Sequence, residues 1–394
     1  MKNIGKRLGL LLVICLTAAV LWSLNSSIDK PALVNTEGRS FERAEVVQVL
    51  RDNRQENGSR IGDQIVLLRL ADGTQETANC PNGMLFGAVC EPGMPVVAMS
   101  SRAGSLVTYT VYSYDRTLRV LGFISFFCFL LSWIGGRKGI RSVAALLSTF
   151  LLFLFLFLPL LMHGIAPVPA AMVTAGLILL LTVWLVCGWS RQAAAAAGGA
   201  FGGVFSAGLS AVAFGESAHL SGYNVGNIEA LLFVEQNTAM DVGGLLFAGI
   251  LFVSLGAVLD IAMDVSAAVT EIHRGRPEED GASLFRSGMS VGRDVMGTMA
   301  ATLILAVFGG SLGTWVLDYV YDLPLLQLLN SNRVDIVLMQ GLSGGIGVIL
   351  TVPLTSALSS WMLTHRSCSV SIKKFWKKED HNSNYVVKYG QENL

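Results

Sequence analysis

Eight long apolar runs constrain the fold of this chain more than any other feature of its sequence. A helix needs about 20 apolar residues to cross the hydrocarbon core of a bilayer. The runs lie at 8–24, 118–134, 143–162, 167–189, 193–214, 243–268, 295–317 and 334–363. Only 14% of the 394 residues are charged, whereas soluble domains have about 25%. The sequence therefore predicts an all-α polytopic membrane protein with about eight transmembrane helices.

The first run, at 8–24, follows three basic residues, as the apolar core of a signal peptide does. No small-residue cleavage site comes after it, and Trp22 near its end is typical of a residue at the membrane interface. We therefore expect residues 1–24 to form a retained N-terminal transmembrane anchor, with a cleaved signal peptide as the alternative.

The basic residues between the runs predict the orientation, because Lys and Arg accumulate in cytoplasmic loops. With the N-terminus inside, seventeen of them fall in inside segments, and the short outside loops hold only Arg333. We therefore expect both termini to be cytoplasmic. The basic tail at 366–394 contains KKFWKKED, which suits an anionic cytoplasmic leaflet.

The segment 25–117 differs from the rest of the chain and is predicted to be an extracytoplasmic β-domain between helices 1 and 2. From about residue 40 to 114 it contains the β-branched runs AEVVQVL, DQIVLLRL, MPVVAMS and SLVTYTVYSY, bounded by NGS, ADG and PNG turns. A small barrel or sandwich fits, and an OB-like or an SH3-like barrel is plausible. We expect a structural or docking module. Cys80 and Cys90 lie in it and could pair, because an extracytoplasmic site permits disulfides.

One predicted span carries acids in the stretch GAVLDIAMDVSAAVTE. Asp260 and Asp264 are one helical turn apart and share a face, and Glu271 lies about 20° from Asp260. A carboxylate near the centre of a spanning helix costs about 2.5–3.5 kcal/mol. This pattern predicts a cation or proton site that opens inward. A structural ion pair, or hydration of Asp264 at the helix end, is the alternative.

The next span begins SGMSVGRDVMGTMAATLILA, so Arg293 and Asp294 enter the membrane from the side on which the acids end. An Arg–carboxylate pair can be bidentate and geometrically specific. We expect Arg293 to contact Asp260 or Asp264, with Thr298 on the small, polar face that follows. Such a pair is equally compatible with a purely structural role.

The fifth span contains two interleaved GxxxG pairs, Gly198 with Gly202 and Gly199 with Gly203. Glycines at this spacing let helix backbones approach closely. We expect ordinary bundle packing here, with a helix that slides during transport as the alternative.

The predicted outside loop at 215–241 is acidic, and it has no Lys or Arg. Glu229 and Asp241 are among its acids, which would attract cations to an outer vestibule. The apolar ALLF in its middle could re-enter the membrane, where protein or water would have to cover its backbone. The alternative is a solvated loop.

Several enzyme classes fit the sequence poorly. GLSGG at 341–345 matches G-x-S-x-G, but that elbow needs a strand–turn–helix. All five histidines fall in predicted loops or the tail, so a rhomboid-like serine lacks its base. Asp260 and Asp264 share one helix, whereas an aspartyl intramembrane protease needs acids on two. No P-loop and no zinc-type cysteine cluster occurs. We expect no enzyme, no metal and no cofactor, and the zero net charge does not indicate nucleic acid.

LFRSGMSVGRDVMGTMAATLILAVFGGSL, with GAVLDIAMDVSAAVTEI before it and GGIGVILTVPLTS after it, resembles the YibE/F family of bacterial multi-pass membrane proteins. The resemblance runs from about residue 40 to 365. D-x-A-M and SGM-x-x-GRD-x-x-GTM are its most specific parts. It implies a polytopic architecture and a bacterial cell membrane. It implies no activity, because the function of the family is largely unassigned.

We therefore predict an ion-coupled secondary transporter or permease with a seven-helix membrane domain at 118–365. Asp260 and Asp264 would bind a proton or cation, Arg293 and Asp294 would modulate them, and the 216–241 loop would be the outer entrance. The alternative is a non-transporting membrane scaffold or sensor whose β-domain binds an envelope partner. The sequence leaves open the substrate, the direction of transport and the oligomeric state.

Overall fold

The computed structural model describes residues 22, 23, 25, 26, 28, 38–56, 58–81, 88–104, 106–223 and 227–364. The predicted tail at 366–394 lies outside these residues, and so does the predicted anchor at 8–24 except for Trp22 and Ser23. By compactness the chain divides into two units, Lys30–Ile140 and Met1–Asp29 together with Arg141–Leu394.

Five strands close into a barrel in the unit Lys30–Ile140. They are β1 (Arg39–Arg51), β2 (Gln64–Leu70), β3 (Gln75–Cys80), β4 (Pro95–Ala103) and β5 (Leu106–Tyr114). The strand order is β1-β2-β3-β5-β4, and β4 pairs with β1. β3 and β5 are parallel, and the other neighbours are antiparallel. This is an OB-like barrel, so the predicted small β-domain is confirmed as a barrel.

The barrel core follows from the two-residue period of its strands. On β2, Val66, Leu68 and Leu70 are buried, and Arg69 between the last two is exposed. β1 has thirteen residues, and its pairing with β2 shifts register twice. Such bulges bend a strand, which lets β1 pair with both β2 and β4 and close the barrel.

The remaining described chain is helical. Its elements are α1 (Thr117–Leu152), a π-helical turn (Phe153–Phe157), α2 (Leu158–Met162), α3 (Pro167–Cys187), α4 (Arg191–Ser217), α5 (Ile228–Asn237), α6 (Leu245–Gly275), α7 (Gly281–Gly310), α8 (Leu312–Val320), α9 (Leu325–Leu328) and α10 (Asn332–Thr364). Among the described residues, six helical stretches are long and apolar enough to cross a membrane: Thr117–Met162, α3, α4, α6, α7 and α10. The count of eight transmembrane helices stays a prediction.

Two predicted spans, at 118–134 and 143–162, fall within the single stretch Thr117–Met162. Gly136 interrupts this stretch with non-helical angles, φ 53° and ψ −132°. Glycine adopts a positive φ without the strain that a Cβ would cause. The break therefore lies between the two predicted spans.

The span predicted at 295–317 is displaced in the structure. α7 begins at Gly281, because the Asp280 side chain accepts a hydrogen bond from the Ser283 backbone N–H at 3.1 Å and caps the helix. α7 ends at Gly310. Hydropathy alone missed its first half, which is rich in Gly, Ser and charged residues.

α10 is the central helix of the other unit and contacts α4, α6 and α7. Its contact with α4 is close because Gly199 and Gly203 have no side chain. A Cβ on Gly203 would overlap the Thr351 hydroxyl, and a Cβ on Gly199 would overlap the Thr355 hydroxyl. Gly198 and Gly202, the other GxxxG pair, lie against the Leu358 and Leu354 side chains of α10. Both pairs therefore contribute to the helix contact, as expected for bundle packing.

α6 packs against α3, α4, α7 and α10. The side of α6 turned to these helices is apolar or small. Its buried residues include Ile250, Leu251, Ser254, Val258, Ile261, Val265 and Val269. The opposite side is exposed at Val253, Gly256, Asp260 and Asp264. Packing thus determines which way the acids point.

We predict that Gly203→Ala lowers the free energy of unfolding by about 1–3 kcal/mol, the usual cost of overpacking a core. The measurement is the melting temperature of the detergent-purified protein. Gly249→Ala is the matched control, because a Cβ there would have nothing within 4 Å and alanine favours the helix. Equal melting temperatures for the two variants would contradict the close α4–α10 contact.

Candidate functional site

α6 carries two carboxylates on the side turned away from the helical core. Asp260 and Asp264 are both exposed, and they are separated by about 6 Å along the helix axis. Asp260 is the central residue of α6, with fifteen residues on either side. The site is therefore on the surface of the unit rather than in its core.

α7 presents its polar residues in the same way. It buries Gly288 and Gly292 against α10, where they meet Ser356 and Val352. Helical residues are about 100° apart, so this packing turns the side chain of Arg293 outward. The exposed polar and small residues of the two helices are called here the outward polar face: Asp260, Asp264, Arg293, Asp294, Gly297 and Thr298.

Two contacts determine how α6 and α7 are aligned. Gly288 packs against Val269, and a Cβ on Gly344 of α10 would lie within 4 Å of both Leu303 and Ser254. From the first contact to the second, the residue numbers rise from 288 to 303 along α7 and fall from 269 to 254 along α6. The two helices are therefore antiparallel.

This alignment brings the predicted site residues to matching heights. Counting equal numbers of residues along both helices from either contact places Asp264 level with Arg293 and Asp260 level with Gly297. Thr298, the next residue, donates its hydroxyl to the Val295 carbonyl at 2.8 Å, which leaves its oxygen lone pairs as acceptors.

The predicted contact of Arg293 with Asp260 or Asp264 is wrong. The ion pairs among the described residues do not include it. All three side chains point outward from their own helices, so being level does not bring them together. Glu271 instead pairs with Arg274 within α6.

A cavity of about 400 Å³ continues the outward side of α6. Its lining residues are Val253 of α6, Ala306, Val307 and Gly310 of α7, Ser311, and Gln340 of α10. Val253 precedes Asp260 by seven residues, so it lies on the same face about 10 Å along the axis. Gln340 contributes an amide to an otherwise mostly apolar wall.

The acidic loop is folded, and its acids stand apart from the outward polar face. α5 has ten residues, about 15 Å, which is too short to span a membrane. Glu229 is exposed in its first turn. Asp241 accepts a hydrogen bond from the Gly243 backbone N–H at 2.9 Å. Asp241 precedes α6, whose start lies about 22 Å along the axis from Asp260.

A tyrosine orders the same loop. The Tyr223 hydroxyl donates to Glu235 Oε1 at 3.1 Å, and that oxygen also accepts the Val242 backbone N–H at 3.3 Å. The hydrogen bond to the Glu235 carboxylate raises the pKa of Tyr223. Glu235 is thus a structural acceptor within the loop.

The sequence prediction missed a column of hydroxyls inside the bundle. Thr351, Thr355 and Ser359 of α10 recur every four residues and are buried. The hydroxyl oxygens of Thr355, Ser356 and Ser359 have no hydrogen-bond partner among the described residues. The stretch TVPLTSALSS carries the signal, because residues four apart share a helix face.

A comparison with protein families decides the identity of the helical region. A model of the YibE/F-like protein family matches residues 123–365. The chain belongs to the YibE/F-like protein family. The match covers the whole outward polar face, and the membrane class that the resemblance implied is supported. No curated protein and no solved structure matches the chain.

The family match is shorter than the expected resemblance, which began near residue 40. Because it starts at residue 123, the barrel of this YibE/F-like protein lies outside it. Within the described part of the chain, no three or more His, Cys, Asp or Glu side chains form a metal-binding group.

We predict that Ser359→Ala leaves the melting temperature of the YibE/F-like protein unchanged or raises it. An unpaired buried hydroxyl costs about 1–3 kcal/mol, and alanine removes that cost. Ser360→Ala is the control, because the Ser360 hydroxyl donates to the Ala357 carbonyl at 3.0 Å and that hydrogen bond is lost. A larger loss of stability in Ser359→Ala than in Ser360→Ala would show that the Ser359 hydroxyl is paired in the folded protein.

Proposed function

We propose that this YibE/F-like protein is an ion-coupled secondary transporter or permease in which Asp260 and Asp264 bind a proton or cation. The observation that carries the proposal is the position of the two carboxylates. They lie in the middle of α6, a helix long and apolar enough to cross a membrane, on its exposed side. Ionisable residues in such helices mark ion and proton pathways by default.

Energetics support a hydrated surround for these acids. Two carboxylates that faced acyl chains would together cost about 5–7 kcal/mol. Beside them, a Cβ on Gly256 or Gly297 would meet nothing within 4 Å. The outward polar face therefore has room for water or an ion next to the carboxylates. Water in this space would lower the cost of keeping both acids in the membrane.

The arrangement suggests how an ion could be held and released. Two like charges about 6 Å apart repel each other, and a bound cation or proton offsets that repulsion. Arg293 is level with Asp264 on the neighbouring helix, and Asp294 follows it, so the charges of these two residues would modulate ion binding at the carboxylates. The cavity beside Val253 and Gln340 extends the same side of the helix pair. No enzymatic reaction is part of this proposal.

We infer that the protein spans the bacterial cell membrane with both termini in the cytoplasm and the barrel outside. Seventeen Lys and Arg residues lie in the inside segments, whereas the short outside loops hold only Arg333, and this difference supports the orientation. Alkaline phosphatase fused after residue 223 would be active, and fused after residue 280 it would be inactive. The reverse pattern would contradict the orientation.

We predict that Asp260→Asn and Asp264→Asn abolish ion-dependent behaviour but leave the protein folded. A cation at about ten times its Kd stabilises the native state by about 1.4 kcal/mol. The purified wild type should therefore melt a few degrees higher with the bound cation or at the protonating pH. The Asn variants should lose this shift and the proton or Na⁺ flux in proteoliposomes.

Glu271→Gln is the matched control for both Asn variants. Glu271 lies on the same helix and pairs with Arg274 near its end, so its loss should change neither the flux nor the thermal shift. Wild-type flux and wild-type ion response in both Asn variants would show that the carboxylates are not the ion site.

The alternative, a scaffold or sensor that binds an envelope partner, is favoured by one observation on the barrel. Phe41 and Tyr112 are 57% and 58% exposed, and their ring centroids are 5.2 Å apart. Exposed aromatic pairs are typical of docking surfaces. If the protein is a scaffold or sensor, the double substitution Phe41→Ser, Tyr112→Ser should abolish its function in cells. The same variant should leave ion flux in proteoliposomes unchanged.

A further inference from the structure

Two cysteines lie side by side in the core of the barrel. Cys80 ends β3, and Cys90 lies in the segment before β4; each is 1% exposed. The Cys90 thiol donates a hydrogen bond to the Cys80 sulfur, with 3.2 Å between the two Sγ atoms. The fold therefore places the two sulfur atoms in direct contact.

The segment that carries Cys90 is held by side chains from two strands. Gln64 accepts the Cys90 backbone N–H at 2.9 Å through Oε1, and its amide donates to the Cys90 carbonyl at 3.3 Å. The Tyr114 hydroxyl accepts the Val89 backbone N–H at 2.7 Å and donates to the Val89 carbonyl at 3.0 Å. The backbone N–H and C=O groups of both Val89 and Cys90 are thus hydrogen-bonded, which keeps Cys90 facing Cys80.

The two thiols differ in acidity. The hydrogen bond from Cys90 lowers the pKa of Cys80, while the same hydrogen bond, together with burial, raises the pKa of Cys90. The Cys80 thiol also contacts the Ala88 carbonyl at 3.0 Å. Because Cys80 is the more acidic of the two in the folded barrel, any thiolate there lies on Cys80, with the Cys90 thiol as its hydrogen-bond donor.

We propose that Cys80 and Cys90 are the site of an intradomain disulfide. The thiolate of one of the two cysteines attacks a disulfide of an envelope thiol–disulfide oxidoreductase, and one thiol of that protein leaves. The other cysteine, after losing its proton, then attacks the sulfur of the first and releases the second thiol. One S–S bond forms in the barrel and one breaks in the oxidant, with transfer of two electrons and two protons.

The burial of both sulfurs sets when this reaction takes place. An external disulfide reaches them only before the barrel closes, so oxidation accompanies folding on the oxidising side of the membrane. In the closed barrel the disulfide is shielded from reductants. This inference rests on the proposed orientation and is independent of ion transport.

Mass spectrometry of one peptide tests the proposal on the full-length protein. Trypsin cleaves after Arg69 and Arg102 and at no residue between them, so Leu70–Arg102 carries both cysteines. Cells are quenched with acid, the thiols are alkylated under denaturing conditions, and the protein is digested with and without reductant. Without reductant, we expect the peptide to carry no alkyl group and to be lighter than the dithiol peptide by the mass of two hydrogen atoms. When reduction precedes alkylation, we expect it to carry two alkyl groups.

A second measurement counts thiols on the intact chain. Denatured wild type should gain two maleimide mass tags after reduction, and the Cys80→Ala, Cys90→Ala double variant should gain none. Double alkylation of Leu70–Arg102 without reductant would overturn the proposal. So would an equal gain of tags in the double variant, because the disulfide would then lie elsewhere.

Discussion

The close contact between α4 and α10 is the constraint on which the helical unit depends. Gly199 and Gly203 leave no space between the helix backbones beyond what the hydroxyl side chains of Thr351 and Thr355 fill. Without a hydrophobic driving force inside a membrane, such small-residue packing is what holds helices together. α10, fixed in this way, is the surface on which α6 and α7 pack.

This packing separates the polar groups into two sets. Hydroxyls such as Ser356 and Ser359 are buried between helices, whereas the carboxylates of Asp260 and Asp264 lie on the outside. Glycine and apolar positions decide the rotation of α6 and α7, and the charged residues occupy the sides that remain. The ion site proposed here is therefore a surface of the helix pair, adjoining the cavity beside Gln340.

The sequence predicts those structural features that depend on a single helix or strand. Apolar length located the membrane-length helices except for the first half of α7, β-branched runs located four of the five barrel strands but not β3, and four-residue spacing placed Asp260 and Asp264 on one face. Contacts between segments were harder to predict. The expected pairing of Arg293 with the acids failed because charge spacing describes one helix, while Gly288 and Gly292 determine how the next helix turns. Cys80 and Cys90 likewise needed the hydrogen bonds of Gln64 and Tyr114 to be placed together.

The central claim is that the outward polar face is hydrated rather than covered by lipid, and thiol labelling tests it most directly. Gly256→Cys places a thiol one helical turn from Asp260. Leu305→Cys is the lipid-facing reference, because Leu305 is an exposed apolar residue of α7 about one turn from the level of Gly256. In permeabilised vesicles a charged, water-soluble maleimide should add one label to Gly256→Cys over wild type and none to Leu305→Cys. Equal lack of reaction at both positions would contradict the account.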